Sequence, residues 1–174
     1  MASRAIRLRL HLLGPNLEEK NYLAKQLRKR LNARIGRTLV VPDLRLDTAR
    51  RMDNRPNDHV YYLALENDYL HYETGLGVKT KHIVFVDSII DRFIRIQDAK
   101  LSLDVYFQGQ LRAMRNLQGQ LFVYGPNFDT RRSRILSQYD LPVQMWDGGD
   151  QGLDAIVEAA ALRIHRSSHD RQHA

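Results

Sequence analysis

The sequence predicts an α/β fold, a doubly wound parallel sheet of five strands with helices on both faces. Short apolar runs of strand length alternate along the chain with longer segments whose apolar residues recur at helical spacing. Strands joined through helices are parallel, because a parallel pair needs a crossover connection. The 174 residues and 43% hydrophobic content fit one domain. We place it at residues 1–164 and predict that the polar tail at 165–174 is disordered.

The first strand and the first helix meet at a tight turn. Apolar residues alternate along residues 6–13, Gly-Pro-Asn follows at 14–16, and leucines at helical spacing then continue to Leu31. Thr38–Val41 is predicted as a second short strand. The polar, arginine-rich segment 43–58 lacks either pattern, and we predict a long loop there.

The rest of the chain continues the alternation of helices and strands. Its predicted elements are a helix at 59–74, a buried strand at 82–87, one or two helices over 90–117, a strand at 121–124, a short helix at 131–137, a strand at 142–146 and a last helix at 153–164. The helix at 59–74 is predicted from six residues at helical spacing, which are Val60, Leu63, Ala64, Asn67, Leu70 and His71.

The net charge of +7 is concentrated in the first third of the chain. A cluster of cations lies at the end of the first predicted helix and in the turn after it, comprising Arg28, Lys29, Arg30, Arg34 and Arg37. Such a cluster attracts anionic partners, so it predicts a docking face for nucleic acid or an acidic protein surface. The alternative is a solvated helix face.

Several function classes are excluded by composition. The chain has no apolar run of about 18 residues, and its first residues lack the apolar stretch of a signal peptide, so we expect a cytoplasmic protein that does not bind membranes. Without cysteine there is no disulfide, no thiolate nucleophile and no cysteine metal site. Of the seven histidines, His165 and His169 are four residues apart, but they lie in the predicted tail, so we predict no metal site.

The turn after the first strand lies over a phosphate-binding pattern. The stretch G-P-N-L-E-E-K-N aligns with G-x-x-x-x-G-K-[ST], and Gly14 and Lys20 match it. Glu19 stands where the second glycine belongs, and Asn21 stands where the hydroxyl belongs. In a working loop, backbone N–H groups surround the phosphates, the lysine contacts them and the hydroxyl binds Mg²⁺. The spacing is therefore kept while half of the chemistry is replaced.

Together with Asp87 at the end of a buried strand and the late arginines, this spacing resembles the small P-loop nucleoside and nucleotide kinases. These have an AAA-like order of elements and include the nicotinamide riboside kinase type and related phage-encoded ATPase-like proteins. The resemblance implies ATP and Mg²⁺ as cofactors, with Lys20 on the phosphates, Asp87 on the metal, and Arg131 and Arg132 stabilising the transferred phosphate. The resemblance also implies an acceptor nucleoside near Asp43. The nucleotide-binding residues that it implies are Gly14, Asn16, Asn21, Asp43 and Asn127.

Three functional hypotheses follow. The leading one is a degenerate P-loop kinase-like domain that has lost or altered ordinary ATP binding. It acts as a binding or assembly module, with a protein partner or a second copy of itself. The alternatives are an active kinase with a divergent phosphate loop and a nucleoside deoxyribosyltransferase-like enzyme, whose first strand also ends in a Gly-Pro turn. Each site residue also has a purely structural interpretation: Lys20 as a surface lysine, and Asp87 as the N-cap of the next helix.

Overall fold

A computed structural model of the chain describes residues 8–53, 58–75, 82–115, 117, 119–127 and 129–170. Within these residues lie five strands and seven helices. In chain order they are β1 (Leu8–Leu13), α1 (Leu17–Ile35), β2 (Thr38–Val41), α2 (Arg45–Arg51), α3 (His59–Gly75), β3 (His82–Phe85), α4 (Ile89–Asp98), α5 (Asp104–Arg115), β4 (Gln120–Tyr124), α6 (Thr130–Gln138), β5 (Val143–Met145) and α7 (Asp150–Asp170).

All five strands are parallel and lie in the order β2-β3-β1-β4-β5, which confirms the predicted α/β class and parallel sheet. The central strand β1 pairs with β3 on one side and β4 on the other, so that Leu10 stands beside both Val84 and Leu121. The carboxyl ends of β1, β3 and β4 therefore meet at one edge of the sheet. Ligands of open α/β sheets bind at such an edge.

The two faces of the sheet are covered by different helices. Because side chains alternate along a strand, Leu10, Val84 and Val123 point to the face that α1 and α7 cover. Phe85 and Phe122 point to the opposite face, where buried side chains of α3, α4, α5 and α6 pack against them. We call the first the aliphatic face. We call the second the polar face, because the buried ion pair between α3 and α4 lies on it.

The segment predicted as a long loop contains the helix α2, so that prediction is wrong. The helix begins after Asp43, whose carboxylate accepts a hydrogen bond from the N–H of Arg45. The buried hydroxyl of Thr48 donates to Asp68 of α3 at 2.7 Å. This contact joins α2 to another helix, and the isolated segment 43–58 contains no sign of it.

Helix α3 is present where the sequence places it, but its buried face is the one that carries tyrosines. Tyr61, Leu65 and Tyr69 are buried, whereas Val60 and Leu63 from the predicted set of apolar residues are 59% and 50% exposed. The tyrosines can be buried because their hydroxyls find partners, as the bond from Tyr61 to the carbonyl oxygen of Arg45 shows.

The last helix is longer than predicted. Helix α7 runs through Asp170, so residues 165–170 are helical rather than a disordered tail, and residues 171–174 lie outside the described part of the chain. The segment between Leu153 and Asp170 contains neither glycine nor proline to end a helix. The stretch 90–117 forms two helices, α4 and α5, and Lys100 with φ of 55° lies between them.

Candidate functional site at the carboxyl edge of the sheet

Two of the predicted catalytic cations meet on one carboxylate. Lys20 of α1 lies 3.6 Å from Asp91 of α4, and Arg132 of α6 lies 2.6 Å from the other oxygen of the same carboxylate. Asp91 also accepts hydrogen bonds from the hydroxyl of Ser88 and the N–H of Gly14. Lys20 is only 5% exposed, so its interpretation as a surface lysine is wrong. The three charges form one network that joins three elements, and two of them, Lys20 and Asp91, are buried.

Sequence reasoning missed Asp91, although a signal for its position exists. Ser88 and Asp91 have the spacing of a capping box, and the hydroxyl of Ser88 accepts a hydrogen bond from the N–H of Asp91 at the start of α4. That pattern predicts a helix start and explains one role of Asp91. Its pairing with Lys20 and Arg132 depends on how α1 and α6 pack beside α4, which local spacing does not reveal.

Asp87 is also neutralised within the chain. Its carboxylate accepts two bonds from Arg95, at 2.9 and 2.5 Å, and a third from the hydroxyl of Tyr69 at 2.9 Å. Ser88 is the N-cap of α4, so the interpretation of Asp87 as that cap is wrong. Burial favours the protonated carboxyl, but the attraction of Arg95, Arg92 and Lys20 outweighs it and lowers the pKa of Asp87.

A second buried ion pair lies directly behind Asp87. Arg92 pairs with Glu66 of α3 at 2.6 Å, donates to the carbonyl oxygen of Asp87 at 2.7 Å and lies over the ring of Tyr69. Burial raises the pKa of Glu66, and the charge of Arg92 opposes that rise. The polar face thus contains two arginine–carboxylate pairs in contact with one tyrosine.

The turn between β1 and α1 is too short to surround a phosphate. Only Gly14, Pro15 and Asn16 lie outside the strand and the helix, and α1 begins at Leu17. The N–H of Glu19 bonds to the side-chain oxygen of Asn16, and the N–H of Lys20 bonds to its carbonyl oxygen. Those N–H groups are the ones that a phosphate-binding loop directs at its ligand.

Glu19 also fills the space above this turn. Its carboxylate lies so close to Gly125, in the second Gly-Pro-Asn turn, that a Cβ there would collide with it. A polyphosphate would therefore meet a carboxylate at the point where the pattern requires glycine. The residues at this turn do not fit the triphosphate of ATP in the pose that the resemblance implies.

The surroundings of Asp87 do not fit Mg²⁺. Both carboxylate oxygens accept hydrogen bonds from Arg95, and a cation would have to displace that guanidinium. In the part of the chain that the structure describes, no group of three or more potential ligands could hold a metal ion. The deoxyribosyltransferase-like alternative meets a related obstacle, because it needs a nucleophilic carboxylate at this edge and both Asp87 and Asp91 are held by cations.

Beside the network lies a cleft of about 620 Å³ between α1, α2 and α3. Two of the predicted nucleotide-binding residues, Asn21 and Asp43, line it. Its other lining residues are Leu17, Pro42, Arg45, Leu46, Ala49, Tyr61, Tyr62 and Arg95. Asp43 and Arg45 form a bidentate ion pair. Arg95 lines the cleft and pairs with the carboxylate of Asp87. The cleft therefore combines apolar and aromatic walls with a charged floor.

The remaining predicted residues do not line this cleft. Gly14 and Asn16 form the turn, and Asn127 is exposed in the second Gly-Pro-Asn turn. Arg131 points away from Asp91 and pairs with Asp98 at the surface, at 2.8 Å. Of the tyrosines in the cleft, sequence reasoning recognised none, because their helix was assigned the opposite buried face.

The basic cluster of α1 is partly neutralised by α7. Arg30 pairs with Asp150 and Asp154, and Arg34 pairs with Glu158. The three acidic residues recur every four positions along the sequence, a regularity that predicts one acidic helix face. The remaining cations of the cluster are exposed and have no ion-pair partner among the residues that the structure describes: Arg28, Lys29 and Arg37.

No family model, no curated protein and no solved structure matches this chain. The class that the fold and the site define is an all-parallel α/β protein with an internally neutralised carboxyl edge. None of the described helices is both long and apolar enough to span a membrane. The kinase resemblance therefore rests on the sequence motif and the order of elements.

Proposed function

We propose that this chain is a P-loop kinase-like domain whose phosphate loop has degenerated, and that it acts as a binding and assembly module without phosphoryl transfer. One observation carries the proposal: the lysine and the arginine that would contact phosphate are already bound to Asp91. A phosphate group would have to displace the buried carboxylate of Asp91, which also accepts a hydrogen bond from the hydroxyl of Ser88. Separating buried ion pairs is costly, because the released carboxylate has no water to solvate it.

We assign the binding part of this function to the cleft between α1, α2 and α3. Its volume lies within the range of small-molecule sites, and its mixture of aromatic walls with few polar groups is typical of them. Tyr61 and Tyr62 lie edge to face at one wall, and Asp43 and Arg45 are paired with each other at the floor. A planar, uncharged ligand of nucleoside size suits these walls, and no triphosphate is needed to hold it.

Thermal unfolding with added ligands tests both statements, since a ligand held only by the native state raises the midpoint. We expect no shift with millimolar ATP, GTP or dTTP plus Mg²⁺, and an upward shift with at least one member of a nucleoside panel. Leu46→Arg at the cleft should remove that shift, whereas the matched variant Leu162→Arg on α7 should retain it. Both leucines are exposed, so neither change disturbs the core.

An active kinase with a divergent loop is the second candidate, and the convergence of Lys20 and Arg132 favours it. It requires Asp91 to swing away when the nucleotide arrives. It predicts an ATP-dependent rise in the unfolding midpoint and phosphoryl transfer to a nucleoside, both lost in Lys20→Met. Observing that pair of results would replace our proposal with this one.

A further inference from the structure

A second cavity lies on the polar face of the sheet, near the amino ends of β1 and β4. Helices α3, α4 and α5 line it together with Arg9 and Gln120, which stand side by side in the strand register. Its volume is about 70 Å³, and a buried water needs about 10–15 Å³ of such space, so roughly five to seven non-hydrogen atoms fit. The cavity shares no lining residue with the cleft between α1, α2 and α3.

The floor of this cavity is buried and polar, whereas its rim is exposed and largely apolar. On the floor, His11 and Gln120 are 2% and 1% exposed. At the rim, Leu70 of α3 and Tyr106 of α5 are exposed to solvent, as is Leu117 after α5. A small molecule can therefore enter between α3 and α5 and reach polar groups inside.

Three polar atoms of the lining residues have no hydrogen-bond partner among the residues that the structure describes: Arg9 Nε, His11 Nδ1 and Gln120 Nε2. His11 Nε2 lies 2.8 Å from Gln120 Oε1, so the ring carries its proton on Nε2 and Nδ1 is an acceptor. Arg9 Nε and Gln120 Nε2 are donors. Turning the Gln120 amide over would exchange donor and acceptor between Gln120 and His11 and keep the count of two donors and one acceptor.

Such unpaired atoms indicate a ligand, because buried polar groups are nearly always hydrogen-bonded and leaving them unpaired is costly. The carboxylate of Glu73 does not satisfy Arg9 Nε, since the 3.9 Å between them is too long for a hydrogen bond. The ligand must therefore bring at least one acceptor and one donor of its own.

The charges around the cavity cancel, which decides the charge of the ligand. Arg92 pairs with Glu66, and the charge of Arg9 is balanced by that of Glu73. Burial lowers the pKa of His11 to about 3, so its ring is neutral at pH 7. An anion would direct a lone pair at His11 Nδ1, and a cation would offer no acceptor to the two donors. Either would also bury an uncompensated charge.

We propose that this cavity binds a small uncharged ligand through a carboxamide group. The carbonyl oxygen of the ligand would accept hydrogen bonds from Arg9 Nε and Gln120 Nε2, and its N–H would donate to His11 Nδ1. One planar group thereby satisfies all three atoms. The apolar rim offers contact to a short apolar substituent. This second site goes beyond the function proposed for the cleft and does not depend on it.

Three probe molecules of the same shape test the proposal: acetamide, acetate and acetamidinium are planar and nearly equal in size but differ in charge. Each is titrated at pH 7 into the ¹⁵N-labelled full chain, and the side-chain amide signal of Gln120 is followed by NMR. We expect acetamide to shift this signal with a dissociation constant on the order of 1–10 mM, as its few atoms permit. Both charged probes should bind at least fivefold more weakly.

Two results would overturn the proposal. An amide signal of Gln120 that shows no saturable shift up to about 100 mM acetamide would mean that the cavity takes water only. A charged probe that binds within fivefold of acetamide would show that the site does not select an uncharged carboxamide.

A pair of variants on α5 tests the location of the site. Ala113 is exposed and lines the cavity, so Ala113→Phe should block the mouth without removing a polar group, and we expect it to raise the dissociation constant of acetamide at least fivefold. The control Val105→Phe alters an exposed residue of the same helix that does not line the cavity, and should leave the constant unchanged. Equal effects of the two variants would refute the site. Leu46→Arg, which blocks the cleft, should leave acetamide binding intact, so the two sites are told apart.

Discussion

The aliphatic face and the polar face of the sheet receive alternate residues of the same strands, and both hold apolar clusters, but the ion pairs Arg92–Glu66 and Arg95–Asp87 lie on the polar face. Along β1, Leu8, Leu10 and Leu12 point to the face that α1 and α7 cover, where they join an apolar cluster. The intervening residues Arg9 and His11 point to the face of α3, α4 and α5. The same alternation assigns Asp87 to the polar face, where Tyr69 of α3 meets it.

This difference separates the buried ion pairs of the polar face from the apolar cluster that α1 and α7 cover. The apolar side chains of the aliphatic face need no polar partners, so they gain free energy from burial alone. The polar face holds charges that are stable only in pairs, and the cleft opens beside it. If the separation is real, substitutions on the two faces should differ in how their effects depend on pH and on pairing.

The largest expected effect is on the polar face. Arg92→Met leaves the carboxylate of Glu66 buried without its guanidinium, and we expect a loss of about 3–5 kcal/mol in the free energy of unfolding, measured with urea. The double variant Arg92→Met, Glu66→Leu should recover most of this loss, because the pair then leaves no buried charge behind. A single variant that costs under about 1 kcal/mol would show that Glu66 is not dependent on Arg92.

A cavity on the aliphatic face should cost slightly less and should not depend on pH. Leu27 of α1 is fully buried, and Leu27→Ala is expected to remove about 2–5 kcal/mol of stability. The same loss should appear at pH 5 and pH 7 in urea unfolding, since Leu27 packs within the apolar cluster of this face. A loss of stability that differs between the two pH values would contradict the expected difference between the two faces of the sheet.

A pH effect of about 2 kcal/mol should come from His11. Its ring is stacked between Phe85 and Phe122, and burial lowers its pKa to about 3, although a hydrogen bond with Gln120 opposes the shift. A lowered pKa means that the unfolded chain binds the proton first, so the contribution to stability is complete above about pH 6.5 and falls as the pH falls towards 3. From pH 7 to pH 5 the free energy of unfolding should drop by about 2 kcal/mol.

The variant His11→Phe isolates this contribution. It keeps an aromatic ring between Phe85 and Phe122 but cannot titrate, so its stability should change less than that of the natural chain between pH 7 and pH 5. Urea unfolding at both pH values measures the difference. An unchanged pH dependence in the variant would assign the effect to other groups.

The smallest effect should come from a surface pair. Arg131 and Asp98 have side chains that are 45% and 62% exposed, and exposed pairs contribute little. We expect Arg131→Gln to change the free energy of unfolding by under about 0.5 kcal/mol. A loss comparable with that of Arg92→Met would mean that burial does not distinguish the two classes of ion pair.

Most of the elements could be predicted because their signals are local. The turn at 14–16, the apolar run of β3 and the helix caps involve residues within a few positions of one another. Helix α2 was not predicted because a contact that holds it in place is not local. The buried hydroxyl of Thr48 donates to Asp68 of α3, a residue outside the segment 43–58. The buried face of α3 was assigned wrongly because tyrosine hydroxyls need partners, and those partners, Asp87 among them, come from distant segments.

By itself the sequence determined the α/β class, the order of the strands and of the helices other than α2, and the cations and carboxylates available at the carboxyl edge. Only the tertiary structure decided that Asp91 holds both Lys20 and Arg132, that Arg95 holds Asp87, and that a cleft opens beside them. The physical reason is range. Periodicity and capping act over one or two turns of chain, whereas a buried charge is paired by whichever opposite charge the packing of the elements brings within a few ångströms.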